Sequence, residues 1–354
     1  GLTLLVIACP CALVISTPVA IVSGITSAAR NGILIKGGIN LETLSEIRNI
    51  AFDKTGTLTN GKPEVTNILS LNGLPENEIL RKAAALEKRS KHPISRAILK
   101  RASDLELPEV SDFKSIPGQG VCGQINHLNY RIGKPDFYLK SLPEQITQLT
   151  SQGKTVVLLS TENESIGVIA VSDTVRQNCG ETIKELRKTG IQKIMMLTGD
   201  NPKTAKFFAD ELDIDEWQAN LLPEEKVRVI EKLQPSYGKL AMIGDGANDA
   251  PALACASVGI AMGAAGSDTA IETADVALMT DDLSKLPYLF KLSRTAKNII
   301  RQNIWACIFL KLALTIGVLF GMVSLITAVL VGDLGASLSV TGNALRLAKI
   351  RPHP

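Results

Sequence analysis

The stretch DKTGTLTNG, residues 53 to 61, decides the fold. It follows the apolar run NIAF, residues 49 to 52, and the pattern predicts a strand whose carboxyl end carries Asp53. A carboxylate exposed at a strand end can attack a γ-phosphate and form an acyl phosphate. Gly56 allows the backbone amides of the following loop to approach a phosphate closely. The sequence therefore predicts a carboxylate at Asp53 that is placed to act as a nucleophile.

Further segments alternate short apolar runs with amphipathic stretches, which is typical of βαβ units. Three such runs are KIMMLTGD (193–200), KLAMIGD (239–245) and ADVALM (274–279). Two of them end, like the first strand, in an aspartate; these are Asp200 and Asp245. Because open α/β sheets bind ligands at the carboxyl ends of their strands, we expect Asp53, Asp200 and Asp245 to converge on one site.

The motif at 53–61, together with TGDN at 198–201 and GDGANDAPAL at 244–253, resembles the phosphorylation motifs of the P-type ATPases, which are cation pumps. The resemblance covers the whole chain. It implies an α/β haloacid dehalogenase-like (Rossmannoid) phosphorylation domain with an inserted α+β nucleotide-binding domain, plus three transmembrane α-helices. Related phosphatases carry a general acid/base aspartate two residues after the nucleophile. This chain has Thr55 there, so we expect its aspartyl phosphate to persist.

The same resemblance assigns roles around Asp53. Thr198 would bind a phosphoryl oxygen, and Lys226, in LLPEEK, would neutralise the transferring phosphate. A Mg²⁺ ion is implied, and Mg²⁺ prefers few carboxylates supplemented by phosphate and water. Its implied ligands are Asp53, the carbonyl of Thr55, Asp245, Asn248 and Asp249. Asp173 and Arg176, in SDTVR, match a family pairing that we interpret as mainly structural.

Between Asn60 and about Ala170 two helical patterns, around Glu76–Glu87 and Ile94–Asp104, are followed by alternating strands such as TVVLLS and SIGVIAVS. This arrangement indicates an inserted domain. Its stretch ALEKRSKHPIS, residues 85 to 95, resembles the His-Pro element that orients ATP in metal-transporting P-type ATPases. Glu87 and His92 occupy the matching positions.

A glycine-rich stretch of this domain, PGQGVCG (117–123), contains G-x-G-x-x-G but opens a strand pattern, which excludes a dinucleotide fingerprint. The resemblance implies instead that Gly118 and Gly120 admit the nucleotide close to the backbone. After Gly133 the family often has asparagine where this chain has Lys134, and we assign Lys134 no ligand role.

Two regions are apolar enough to cross a bilayer, and the chain as a whole has a mean hydropathy of +0.17. No charged residue occurs from Gly1 to Ala29, and the second region, 304–345, is about two crossings long with Gly321 at the predicted turn. Basic residues flank both regions, which predicts that both flanks and the domains between the spans are cytoplasmic. The net charge of +3 without basic runs gives no indication of a nucleic-acid partner.

The first apolar region contains Cys9, Pro10 and Cys11. Residues i and i+2 of a regular helix do not share a face, but Pro10 frees a carbonyl and opens the helix, so both thiols could bind one ion. Charged residues at membrane depth are costly, which marks Lys311 and Asp333 as functional. Two thiolates and a carboxylate suit Zn²⁺, Cd²⁺ or Pb²⁺ better than Cu⁺, and Lys311 supplies the counter-charge.

The pattern around Lys311 and Asp333 also resembles the Zn²⁺/Cd²⁺/Pb²⁺ exporters among the heavy-metal P-type ATPases. We therefore expect ATP-driven export of one of these three ions from an integral protein of the plasma (inner) membrane. The Thr-Gly-Glu tripeptide of the family's actuator domain does not occur, so the sequence is interpreted as the C-terminal part of a longer pump. The predicted segments are 1–29 (membrane helix with Cys-Pro-Cys), 30–61 (phosphorylation domain, first part), 62–170 (nucleotide-binding domain), 171–297 (phosphorylation domain, second part), 298–321 and 322–347 (membrane helices) and 348–354 (cytoplasmic tail).

Two other interpretations remain open. One is a membrane-tethered phosphatase or phosphotransferase without transport, which Thr55 and the membrane residues disfavour. The other is a metal-binding remnant without activity, which the intact motifs disfavour. The six cysteines form no paired C-x-x-C array and no dense disulfide framework, so we expect them to be reduced.

Overall fold

The computed structural model describes residues 11–90, 92–116, 119–135, 143–245, 249–263 and 268–351. The chain forms two compact units. The first comprises Gly1–Asp53, Asn178–Met195 and Leu222–Pro354, and the second comprises Lys54–Gln177 and Met196–Leu221.

A mainly parallel sheet organises the first unit. Its strand order is β1-β13-β12-β11-β2, and only β1 runs antiparallel to its neighbour. These strands are β1 (Ile33–Ile35), β2 (Asn49–Asp53), β11 (Leu240–Gly244), β12 (Val258–Met262) and β13 (Val276–Leu278). Every residue of β2, β11 and β12 is buried, as expected for parallel strands covered on both faces. The carboxyl end of β2 is Asp53, and Asp245 directly follows β11.

The first unit also contains short helices. They are α2 (Gly38–Glu46), α6 (Cys179–Lys188), α8 (Pro223–Tyr237), α9 (Ala250–Cys255) and α10 (Asp268–Thr273). Helix α8 starts with proline at its first position, and the Glu225 carboxylate accepts a hydrogen bond of 2.8 Å from the Leu222 amide. This well-defined start fixes Lys226 in the first turn of α8.

Three helices of the described chain are long and apolar enough to cross a membrane, as the sequence predicts. The first is α1 (Cys11–Arg30), and the second is the 35-residue α11 (Lys285–Leu319). The third span, Ile326–Lys349, is irregular. It consists of α12 (Leu325–Val329), a π-helical turn (Leu330–Gly335), α13 (Ala336–Ala344) and a 3₁₀ turn (Leu345–Lys349). Gly321, with φ of 69°, lies in the turn between the second and third spans.

Small residues allow α1 to approach its neighbours α11 and α13 closely. The buried face of α1 is Ala12, Ser16, Ala20, Gly24, Ser27 and Ala28. Nearer its C-terminal end, Ser27 Oγ lies 2.9 Å from the Tyr288 hydroxyl of α11 and donates to the Leu347 carbonyl at 3.1 Å. One hydroxyl therefore connects all three spans.

Helix α11 is also joined to the strand that carries Asp53. Arg294 donates to the Ile47 carbonyl at 2.9 Å, and Lys297 forms an ion pair with Glu46 at 2.8 Å. Glu46 pairs in addition with Lys239, which precedes β11, at 2.6 Å. These contacts lie directly before β2.

The second unit contains a six-stranded antiparallel sheet of order β3-β8-β7-β6-β5-β4. Its strands are β3 (Thr59–Ser70), β4 (Ser111–Ile116), β5 (Gly120–Ile125), β6 (Leu128–Gly133), β7 (Thr155–Thr161) and β8 (Ser165–Val175). Helices α3 (Glu76–Glu87) and α4 (Pro93–Arg101) bury an aliphatic core against this sheet, and α5 (Glu144–Ser151) packs in a second cluster. The unit also holds α7 (Pro202–Leu212) and β10 (Glu216–Gln218), whereas β9 (Lys193–Leu197) spans the boundary between the units.

Candidate phosphorylation, nucleotide and metal sites

Asp53 lies in a buried cluster of charge at the carboxyl end of the parallel sheet of the first unit. The Lys226 ammonium is 2.5 Å from an Asp53 oxygen and 2.7 Å from an Asp249 oxygen. Asp53 is 4% exposed and Asp249 is 1% exposed. A Cβ on Gly244 would lie 2.9 Å from the Asp249 carboxyl, so this glycine is what allows Asp249 to reach the cluster. The strand ends and the first turn of α8 thus bring together three predicted site residues.

The charges in this cluster shift its pKa values. Burial is the largest influence on Asp53, and together with Asp249 and Asp245 it outweighs Lys226 and raises the Asp53 pKa from 3.8 to about 7. For Lys226, burial alone would lower the pKa, but Asp53 and Asp249 together overcome it and raise the Lys226 pKa. The raised pKa means that the Asp53 carboxyl is partly protonated near neutral pH, and further positive charge would favour its ionised form.

The cluster fits a magnesium ion. Carboxylate oxygens of Asp53, Asp245 and Asp249 lie within 4.8 Å of one another, and no other group of this kind was found among the described residues. Three carboxylates and one ammonium leave two negative charges, which a divalent cation balances. Hard oxygen donors are the ligands that Mg²⁺ prefers. The predicted ligand Asn248 lies outside the described residues.

The loop after Asp53 belongs to the second unit and is held by its own contacts. The Arg176 guanidinium donates to the carbonyls of Gly56 at 2.6 Å and Thr57 at 2.8 Å. The Thr59 hydroxyl donates to the Asp173 carboxylate. Gly56 has φ of 78°, a left-handed conformation that glycine tolerates. Asp173 and Arg176 therefore position the loop, in agreement with the structural role expected for them.

Lys54 and Asp200 form an ion pair that motif reasoning missed. Their charged atoms lie 2.6 Å apart, and the Lys54 ammonium is 5.0 Å from the centre of the Phe208 ring. The sequence predicts Asp200 as a third carboxylate of the Asp53 site, but within the second unit its partner is Lys54. The two residues belong to separate motifs, and no local signal in the sequence pairs them.

Thr55 and Thr198 lie in different surroundings. Thr55 is exposed in the loop, whereas Thr198 is 1% exposed at the end of β9. The Thr198 hydroxyl accepts a hydrogen bond from the Asp200 amide at 3.1 Å, and its backbone bonds to Gln218 and Leu221. The roles predicted for both threonines toward a phosphoryl group remain predictions.

A cavity of about 300 Å³ in the second unit is lined by Glu87, His92 and Gly120, among others. Glu87 is buried, and the Ser95 hydroxyl donates to it at 2.6 Å. His92 caps α4 by accepting the Ile94 amide on Nδ1 at 3.3 Å, which leaves Nε2 as its other hydrogen-bonding atom. Three of the four residues predicted to bind nucleotide thus line one cavity, and the fourth, Gly118, lies outside the described residues.

Three residues predicted at the membrane metal site, Cys11, Lys311 and Asp333, lie on elements that contact one another. Ala12, next to Cys11, packs with Cys307 of α11 and Ala336 of α13. Lys311 follows Cys307 by about one helical turn, and Asp333 precedes Ala336 by three residues within the π-helical turn. Such turns are frequent at functional sites. Cys11, Lys311 and Asp333 are half-buried, and Cys9 and Pro10 lie outside the described residues.

The expectation that all cysteines are reduced is wrong for Cys11, which is disulfide-bonded in this structure. The free thiols among the described residues are Cys122, Cys179, Cys255 and Cys307. Because a metal ligand must be a thiolate, Cys11 can bind a metal only after reduction.

This chain is similar in sequence to proteins of known families. Residues 47–257 match the family model of the haloacid dehalogenase-like hydrolases. The probable cadmium-transporting ATPase of Alkalihalophilus pseudofirmus is 47% identical over 99% of this chain and 50% of its own length. The zinc/cadmium/lead-transporting P-type ATPase of Escherichia coli K12 is 46% identical over 99% of this chain and 48% of its own length.

Solved structures are similar as well. A zinc-transporting PIB-type ATPase in its E2·Pi state matches with a TM-score of 0.91 and 45% identity, over 98% of this chain and 57% of that protein. The catalytic domain CopB-B of a CPx-ATPase matches with a TM-score of 0.61 and 36% identity, over 75% of this chain and 98% of the domain. The chain therefore belongs to the haloacid dehalogenase-like hydrolases and, within them, to the P-type ATPases. It spans about half the length of the curated relatives it matches.

Proposed function

We propose that this chain is the catalytic and metal-binding part of a pump that exports Zn²⁺, Cd²⁺ or Pb²⁺ through an aspartyl-phosphate intermediate on Asp53. The observation that carries the proposal is the buried triad in which Lys226 lies between Asp53 and Asp249. A structural ion pair would need one carboxylate for one ammonium. Here a second and a third carboxylate surround the nucleophile, which prepares the cluster for a divalent cation and a phosphate.

In the proposed reaction, the ionised Asp53 oxygen attacks the γ-phosphorus of ATP, the bond to the β-phosphate oxygen breaks, and ADP leaves. Lys226 is close enough to neutralise charge on the transferring group, and Thr198 would donate a hydrogen bond to it. Bound Mg²⁺, held by Asp53, the Thr55 carbonyl, Asp245, Asn248 and Asp249, would supply electrostatic stabilisation of the phosphoryl oxygens. Since Asp53 must be ionised to attack and its pKa is raised, added positive charge nearby would increase the fraction of Asp53 that can react.

The nucleotide would be held in the cavity of the second unit. The buried Glu87 and the Nε2 atom of His92 offer hydrogen bonds to a base, and Gly118 and Gly120 would allow its close approach to the backbone. The exported ion would be bound between the spans by Cys9, Cys11 and Asp333, with Lys311 as counter-charge. This range of ions is supported by two relatives, one named a probable cadmium-transporting ATPase and one a zinc/cadmium/lead-transporting P-type ATPase.

The three apolar helices would lie in a plasma (inner) membrane, with both structural units in the cytoplasm. An actuator domain from the remainder of the pump would complete turnover.

The experiment that tests the proposal is phosphorylation of the chain in detergent with γ-labelled ATP and Mg²⁺, followed by acid quenching. We expect an acid-stable, hydroxylamine-labile phosphoprotein that is absent in Asp53→Asn. Asp104→Asn, at an exposed position of the second unit, is the matched control and should be labelled normally. Label that survives in Asp53→Asn would overturn the assignment of the nucleophile.

A further inference from the structure

The nucleotide cavity of the second unit has an uneven distribution of charge. Glu87 lies on its wall at 7% exposure, whereas Lys134 lies at the exposed rim. Apart from His92, no other described residue that lines the cavity carries a titratable side chain. The Lys134 ammonium forms no hydrogen bond or ion pair with any residue that the structure describes. The cavity therefore has a buried carboxylate and an unpaired cation.

The backbone holds Lys134 at this position. It directly follows Gly133, the last residue of β6, which is paired with Gly120 of β5. The Lys134 amide donates to the Gln119 carbonyl at 3.1 Å. A Cβ on Gly133 would lie 2.0 Å from that carbonyl oxygen, so the two strands can close only on glycine. The position of Lys134 at the cavity mouth is thus set by the strand ends.

We infer that Lys134 binds the phosphate groups of the nucleotide, and that it makes this cavity selective for nucleoside polyphosphates over nucleosides. The inference rests on the proposed function, which places a nucleotide here. A buried carboxylate repels phosphate and accepts hydrogen bonds from a base, so Glu87 favours the base at its own side of the cavity. The anionic end of the ligand then lies toward the rim, where Lys134 is the lysine among the described lining residues. A lysine attracts phosphate as a point charge, without strict geometry.

Lys134 is a positioning residue in this account, because the chemistry takes place on Asp53. Its effect should grow with the charge of the ligand and decline with salt, since exposed charges are screened within about 10 Å at 0.1 M ionic strength. A purely structural role would change the affinity for all ligands equally.

The test is equilibrium binding of adenosine, AMP, ADP and ATP to the full 354-residue chain in detergent with EDTA, at low and high salt. For Lys134→Gln we expect ATP and ADP to bind about tenfold more weakly at low salt and adenosine to change less than twofold. Lys134→Arg should retain most of the ATP affinity. Lys88→Gln, an exposed lysine of the same unit that does not line the cavity, is the control and should bind all four ligands normally.

The binding results separate the role of Lys134 from the assignment of the cavity to nucleotide. Equal weakening for adenosine and ATP, or unchanged ATP affinity in Lys134→Gln, overturns the role of Lys134 and leaves the proposed function standing. Failure of the unaltered chain to bind ATP overturns both the Lys134 role and the assignment of this cavity to nucleotide. The phosphorylation assay on Asp53→Asn does not depend on Lys134 and tests the proposed function separately.

Discussion

Replacing Lys226 by methionine removes the only described cation between Asp53 and Asp249 and keeps a side chain of similar length. Breaking a buried ion pair from one side costs about 3–5 kcal/mol, because it leaves a buried charge unpaired. At pH 8 we expect a loss of stability near the middle of that range. The carboxyl pKa of Asp53 is already raised to about 7, and it rises further without Lys226. Protonation at pH 5.5 therefore relieves part of the cost, and the loss should be smaller there.

The assay is thermal unfolding of the purified chain followed by circular dichroism at pH 8 and pH 5.5 without Mg²⁺. Lys232→Met, at an exposed position of the same helix, is the matched control and should unfold like the unaltered chain at both pH values. Adding Asp249→Asn to Lys226→Met should restore part of the stability, since it removes one of the opposed carboxylates. An equal loss at both pH values, or no rescue in the double variant, would refute the electrostatic account of the triad.

Three further predictions concern other parts of the chain. The hydrogen bonds from Lys239 and Lys297 lower the Glu46 pKa from 4.5 to about 2, so the ion pairs stabilise the fold above pH 4.5 and this stability is lost as pH falls toward 2. Because these side chains are half exposed, Glu46→Gln should cost only about 1 kcal/mol at pH 7, measured by urea unfolding, and nothing near pH 2. A Cβ on Gly120 would lie 2.1 Å from a backbone oxygen at φ of 150°, so Gly120→Ala should abolish ATP binding; normal affinity in a titration would contradict this. Asp333→Ala should abolish stimulation of ATP hydrolysis by Zn²⁺, Cd²⁺ or Pb²⁺ in the reduced pump, and Cu⁺ stimulation indifferent to Asp333 would exclude the divalent site.

Hydrophobic periodicity predicted many helices and strands, because the spacing of apolar residues reflects which face of each element is buried. The helix expected over Glu76–Glu87 has these bounds in the structure, and the strands predicted from TVVLLS and SIGVIAVS form β7 and β8. By contrast, β1 has three residues and pairs antiparallel at the sheet edge, a placement decided by tertiary packing alone. The π-helical turn at Asp333 was also not predicted, since hydropathy detects an apolar span and carries no information about the hydrogen-bond register within it.

In the candidate sites, too, motifs predict which residues take part, whereas tertiary packing decides which side chains meet. Motifs identified Asp53 and Lys226, but the insertion of the Lys226 ammonium between two carboxylates depends on where α8 begins relative to β2 and β11. The partner of Asp200 could not be read from its position at a strand end, because the choice of Lys54 is made in three dimensions. The sequence assigns Lys134 no ligand role because the family often has asparagine at this position. The structure shows that Lys134 lines the cavity.

Helix α11 is continuous, so a tilt at its contacts near β2 would displace residues farther along it. Arg294 and Lys297 contact the residues just before β2, and Lys311 lies farther along the same helix. The 14 residues from Lys297 to Lys311 correspond to about 21 Å of helix, so a tilt of about 5° at the base displaces Lys311 by about 2 Å. Such a displacement is enough to separate an ammonium from a carboxylate that it touches. If β2 shifts when Asp53 is phosphorylated as proposed, helix α11 would carry that shift to Lys311 without any flexible intermediary.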